Sequence, residues 1–122
     1  MLLHDVARAR PVALVGFAVH SGWAKKIMQY LLLIHGNAQS RIDSTEWSSF
    51  FDAARSSGLF KGGSELGART ALGNLHDAKS TDHIVGYMRF ESDHAQAILD
   101  LLQAHPVVLH GGTIELWEMP ES

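Results

Sequence analysis

No cysteine occurs among the chain's 122 residues. Disulfide frameworks, zinc–thiolate sites and thiol nucleophiles are thereby excluded. Aromatic residues are scarce at 8%, and the prolines number only three. No apolar run approaches the roughly 20 residues that a membrane-spanning helix requires. Basic residues are in deficit, ten Lys and Arg against 13 Asp and Glu, for a formal charge of −3. Nucleic-acid partners demand a basic surface that neutralises phosphates, so none is expected, and neither is a membrane partner. There is no glycine-rich dinucleotide fingerprint and no serine nucleophile elbow. Gly62-Gly63-Ser64-Glu65 has the look of a phosphate loop but lacks its lysine.

What is present is ordinary globular composition, 46% hydrophobic and 19% charged. That suits a single domain with one core, and the missing cysteines fit a cytoplasmic setting. The eight histidines are scattered rather than clustered, so no metal and no cofactor are expected. Residues 1–27 read differently from the rest. Arg8 and Arg10 precede an apolar stretch from Pro11 to Val19, with Ser21-Gly22-Trp23-Ala24 after it. A positive start, short apolar centre and small residues resemble a weak signal peptide. His4, Asp5 and His20 interrupt that pattern. The alternatives are an extra strand or arm ahead of a domain over 28–122, which is the preferred reading, or upstream residues before a start at Met28.

From Met28 the pattern sharpens. Gln29 to His35 is an apolar run closed by Gly36-Asn37, as for a central strand. Asp43 and Glu46 make a capping-box pair, and Trp47, Phe50, Phe51 and Ala54 follow at helical spacing until Gly58. A second strand begins at Leu59-Phe60-Lys61, bent by Gly62-Gly63. Ala68 to Leu72 is a candidate short strand, and Gly73-Asn74 a turn. A third strand spans His83 to Glu91. Asp93 and Gln96 suggest another capping box, opening a helix through Ala95, Ile98, Leu99, Leu102 and His105 that Pro106 ends. Gly111-Gly112 leads into a last strand from Thr113 to Trp117.

Strand, helix, strand, strand, helix, strand is the order of an α+β, ferredoxin-like two-layer sandwich with an antiparallel sheet. Both helices cover one face. The reverse face would carry Leu31, Leu33, Val85, Tyr87 and Trp117, too apolar for water alone, so a homodimer packed sheet to sheet about a two-fold axis is expected. Met28 to Ile34, Gly86-Tyr87 before Met88-Arg89-Phe90-Glu91, and His105-Pro106-Val107-Val108 through Gly111-Gly112-Thr113-Ile114-Glu115-Leu116 resemble segments of the YCII-related proteins. The resemblance covers residues 28–120 and implies a ferredoxin-like fold of the dimeric α+β barrel type. It also implies a histidine on the first helix and an aspartate after the second strand as an acid–base pair, yet Ser44 to Ser57 holds no histidine and the segment after the second strand holds no aspartate before Asp77.

Candidate chemistry falls on the reverse face. Tyr87, Arg89, Glu115 and Trp117 form a candidate set for binding a small-molecule ligand. His35 could serve as a general base, and Arg89 could hold a carboxylate. The competing expectation is that Arg89 and Glu115 pair as an interface salt bridge. His76 and Asp77, with His83, are weaker candidates in a long irregular connection. His105 is expected to pack against or cap a helix end. The Trp47, Phe50 and Phe51 stripe is expected as core, able to wall a pocket between helix and sheet. Two functions remain open: a non-catalytic module binding a metabolite in a dimeric cleft, or a metal-independent lyase, isomerase or hydrolase using histidine acid–base catalysis.

Overall fold

A computed structural model describes residues 26–121. The readings made for residues 1–25 lie outside the described residues. The elements are β1 (Met28–His35), α1 (Ser44–Ser57), β2 (Phe60–Glu65), β3 (Ile84–Ser92), α2 (Ala95–Leu102), α3 (Pro106–Leu109) and β4 (Ile114–Met119). The four strands form one antiparallel sheet in the order β2-β3-β1-β4. This is the ferredoxin-like arrangement, with two central strands that do not follow one another in sequence.

Alternation decides which side chains enter the core. Along β1, Tyr30, Leu32 and Ile34 are buried while Leu31, Leu33 and His35 are only partly covered. On β3, Met88 and Phe90 join the buried side. Phe50 and Ala54 of α1 and Ile98 and Leu102 of α2 close over them. Both helices therefore lie on one face of the sheet.

The capping signals of α1 read correctly. Asp43 is the N-cap, and its backbone N–H donates to Glu46 Oε1 at 3.2 Å. Gly58 ends the helix at φ 76° and donates to Arg55 O. Nothing lies within 4 Å of where a Cβ on Gly58 would stand, so a substitution there meets only backbone strain. Gly58→Ala is expected to lower stability by about 1 kcal/mol in urea unfolding. An unchanged midpoint would mean that the turn relaxes out of the left-handed region.

Three local expectations fail. Residues 66–83 contain no strand, so Ala68 to Leu72 is irregular chain. The Asp93–Gln96 capping box does not form. His94 is the N-cap of α2, Ser92 Oγ accepts its N–H at 3.1 Å, and Gln96 instead donates to Asp100 one turn on. His105 does not extend α2, which stops at Leu102. It is the N-cap of the separate one-turn α3, with Pro106 at the first helical position. Proline there starts a helix as readily as it ends one, because its missing N–H is not needed.

Candidate functional site

A cavity of about 570 Å³ opens between α1 and the β2–β3 side of the sheet. It exists partly because side chains are absent. Gly63 pairs with Met88, and Gly86 lies two residues from Met88, so both glycines face the helix layer. A Cβ on Gly86 would already touch Ile34 Cδ1 at 3.5 Å. Trp47 and Phe51, one turn apart on α1, stack at 5.8 Å and 25° to make the opposite wall. Ile34, Ile42, Met88 and Val107 complete an apolar lining, and Ser64 and Glu65 of β2 supply polar edges. The helix stripe thus serves both core and cavity. Of the candidates named from sequence, His35 and Tyr87 contribute to the wall; Arg89, Glu115 and Trp117 do not.

The reverse face holds a second arrangement. Register places Tyr87, Leu33 and Glu115 in one row, and Arg89, Leu31 and Trp117 in the next. His35 Nε2 donates to Glu115 Oε2 at 2.6 Å, and Trp117 Nε1 donates to Glu115 Oε1 at 2.9 Å. These two bonds hold the Glu115 carboxyl below its ordinary range, the His35 bond contributing most. With Nε2 committed as donor, Nδ1 of His35 is left as the basic nitrogen. The His83 ring lies 4.9 Å from that of His35.

Within the chain Arg89 and Glu115 are not partners. Arg89 Nη2 donates to the Lys61 carbonyl at 3.0 Å, where β2 bulges between Phe60 and Gly62. The bulge turns a strand carbonyl toward the guanidinium, while Glu115 is taken by closer donors. His76 and Asp77 stand apart from both arrangements. Asn74 Oδ1 accepts both their backbone N–H groups, and the Asp77 carboxylate accepts from Asn74 Nδ2 at 2.9 Å. That local turn occupies Asp77, and neither residue reaches the cavity wall. Among the described residues no group of three or more His, Asp or Glu could hold a metal ion.

Two further groupings involve histidines, and only the first had no sequence signal. Ser40, His110 and Glu46 form a hydrogen-bonded chain, with Ser40 Oγ 2.7 Å from His110 Nδ1 and His110 Nε2 2.6 Å from Glu46 Oε2. His105 is fully buried between Trp47 and Phe50, with ring centroids at 5.3 and 4.7 Å. Its Nδ1 accepts the Val107 N–H at 3.2 Å, so it caps α3 rather than the end of α2. Burial pushes its pKa down to about 4. A neutral ring makes no use of a helix C-terminal dipole.

No family model matches the chain, and no curated protein does. Among solved structures, the hydroxynitrile lyase from Passiflora edulis is similar over 80% of this chain and 97% of that one, at 9% identity and a TM-score of 0.38. Among the described residues no helix is long and apolar enough to cross a membrane.

Proposed function

We propose that this chain is a YCII-like cytoplasmic protein that binds a small, largely apolar metabolite, and that it works as a homodimer. The cavity beneath α1 carries the reading. Its size falls within the usual few hundred to 1,000 Å³ of small-molecule sites, and its lining follows their usual apolar character. The near-parallel rings of Trp47 and Phe51 suit a flat ligand, and Ser64 and Glu65 suit a hydrogen-bond donor on its edge. His35 and Tyr87 belong to both the cavity wall and the reverse face, so ligand and assembly would be coupled.

A second reading, an acid–base enzyme, is favoured by one observation. The 2.6 Å bond from His35 to Glu115 orients an imidazole with its other nitrogen free to take a proton.

Thermal-shift screening against flat apolar metabolites tests the first reading. A ligand at about 100 times its Kd is expected to add about 2.7 kcal/mol to native stability. Trp47→Ala and the milder Phe51→Leu should each weaken a hit about tenfold or more, while Arg89→Ala leaves it unchanged. Hits that shift both cavity variants as much as the parent would place the ligand elsewhere. Hits lost only in His35→Ala would favour the enzyme reading.

A further inference from the structure

We propose that Ser40 is an activated nucleophile that accepts acyl groups from small activated esters, with His110 as its general base and Glu46 positioning the imidazole. The three residues come from three separate segments: the loop after β1, the first turn of α1, and the turn after α3. Each link is short. Ser40 Oγ lies 2.7 Å from His110 Nδ1, and His110 Nε2 lies 2.6 Å from Glu46 Oε2. A nucleophile on a base that a third group orients is the recurring signature of covalent catalysis.

The proton positions follow from the carboxylate. The His110 bond, first, and the Asp43 N–H, second, hold the Glu46 carboxyl below its ordinary range. As an ionised acceptor it takes the Nε2 proton, which leaves the Nδ1 lone pair facing the serine hydroxyl. Glu46 is itself fixed, since Oε1 accepts the Asp43 N–H at 3.2 Å. His110 is pinned through its backbone, its N–H donating to Pro106 O and its carbonyl accepting from Gln39 N–H at 2.7 Å. The hydroxyl is exposed while the imidazole is mostly covered. Among the described residues the N–H groups of Ser40 and Arg41 have no protein acceptor.

In the first step Oγ attacks the ester carbonyl and its proton passes to His110 Nδ1. The carbon–oxygen bond to the leaving alcohol breaks, and that alcohol departs with the proton. Water then attacks the Ser40 ester and gives a proton to His110 Nδ1, which returns it to Oγ as the Ser40–acyl bond breaks, releasing the carboxylic acid with Ser40 and His110 restored. The segments that hold the array also supply Ala38, Ile42, Trp47 and Val107 to the cavity wall, so an apolar surface lies near it in the chain.

The chain has no cysteine, so Ser40→Cys introduces a unique thiol. Two measurements test the proposal together. A fluorophosphonate should label the parent protein at Ser40, mapped by mass spectrometry, and His110→Gln should slow labelling at least about 100-fold. Iodoacetamide at pH 6.5 should alkylate Ser40→Cys at least about tenfold faster than Ser48→Cys, an exposed control on α1. Adding Glu46→Gln to Ser40→Cys should move its alkylation profile to higher pH, a shift that a purely structural clip would not produce. An unlabelled Ser40 overturns the proposal, as does a thiol at position 40 no faster than the control.

Discussion

Lowering the pH from 7 to 4 is expected to remove about 3 kcal/mol of folding stability through His105 alone. The ring is fully buried, its Nδ1 accepts the Val107 N–H, and its Nε2 has no hydrogen-bond partner among the described residues. A proton on Nδ1 would destroy the cap and place a charge among Trp47, Phe50 and Val107. Burial therefore depresses the pKa from 6.5 to about 4 in the folded chain. Below pH 6.5 the unfolded chain takes up a proton that the folded chain refuses. Stability is full above that pH, falls by about 1.4 kcal/mol per unit on the way to 4, and levels off below. Glu46 and Glu115, with depressed carboxyl pKa values, add losses only below their ordinary value of 4.5. The two windows overlap only between pH 4.5 and 4. Urea midpoints at pH 7.5, 5.5 and 4.5 measure the slope. His105→Asn keeps a capping oxygen for Val107 but cannot titrate in this range, so it should flatten the profile even if a smaller core side chain lowers stability throughout. A slope that persists in His105→Asn would assign the acid sensitivity to another group.

His105 also shows where sequence reading stops. Its place on the helical face of Ala95, Ile98 and Leu102 extends the right period, and Pro106 stands where a helix should end. Periodicity could not show that the chain breaks at Leu102 and restarts at Pro106, because proline is compatible with both. The strands and α1 were legible for a different reason. The apolar run of β1, the alternation of β3 and the Asp43–Glu46 and Gly58 caps depend on residues within one turn or two of each other. The site elements depend on distant residues. His35 meets Glu115 across 80 positions, and Ser40 meets His110 across 70. Strand order alone brings the first pair within reach of each other. Nothing local marked the second. The aromatic stripe of α1 marks one wall of the cavity, but the floor was hidden for a third reason, since it is made by the missing side chains of Gly63 and Gly86. The contact of Arg89 with the Lys61 carbonyl was not legible because the bulge that redirects that carbonyl is a feature of pairing rather than of composition.

Placing a charge at the middle of the reverse face is expected to dissociate the proposed homodimer. Leu31 and Leu33 are partly covered on this face, and Val85 and Trp117 are 43% and 55% exposed. Leu33 sits between Tyr87 and Glu115 in one row, next to the row of Arg89, Leu31 and Trp117. The Trp117 N–H already donates to Glu115, so the polar edge is satisfied within the chain and the apolar body is left for a partner. Central aromatic and aliphatic anchors of this kind carry most of an interface's energy. Leu33→Asp or Trp117→Ala should each raise the dimer Kd by at least about 30-fold, or about 2 kcal/mol. Neither position is part of the buried core, so the monomer should keep its fold and its far-UV spectrum. Sedimentation velocity at micromolar concentration reads the outcome. A parent protein that sediments as a monomer, or a Leu33→Asp variant that remains dimeric, would remove the second copy from this face. His35→Ala adds a sign to the test. Once a partner excludes water, the Glu115 carboxylate keeps Trp117 but loses its shortest donor, and an under-compensated buried charge weakens association. A dimer indifferent to His35→Ala would mean that Glu115 stays wet and that the copies meet elsewhere.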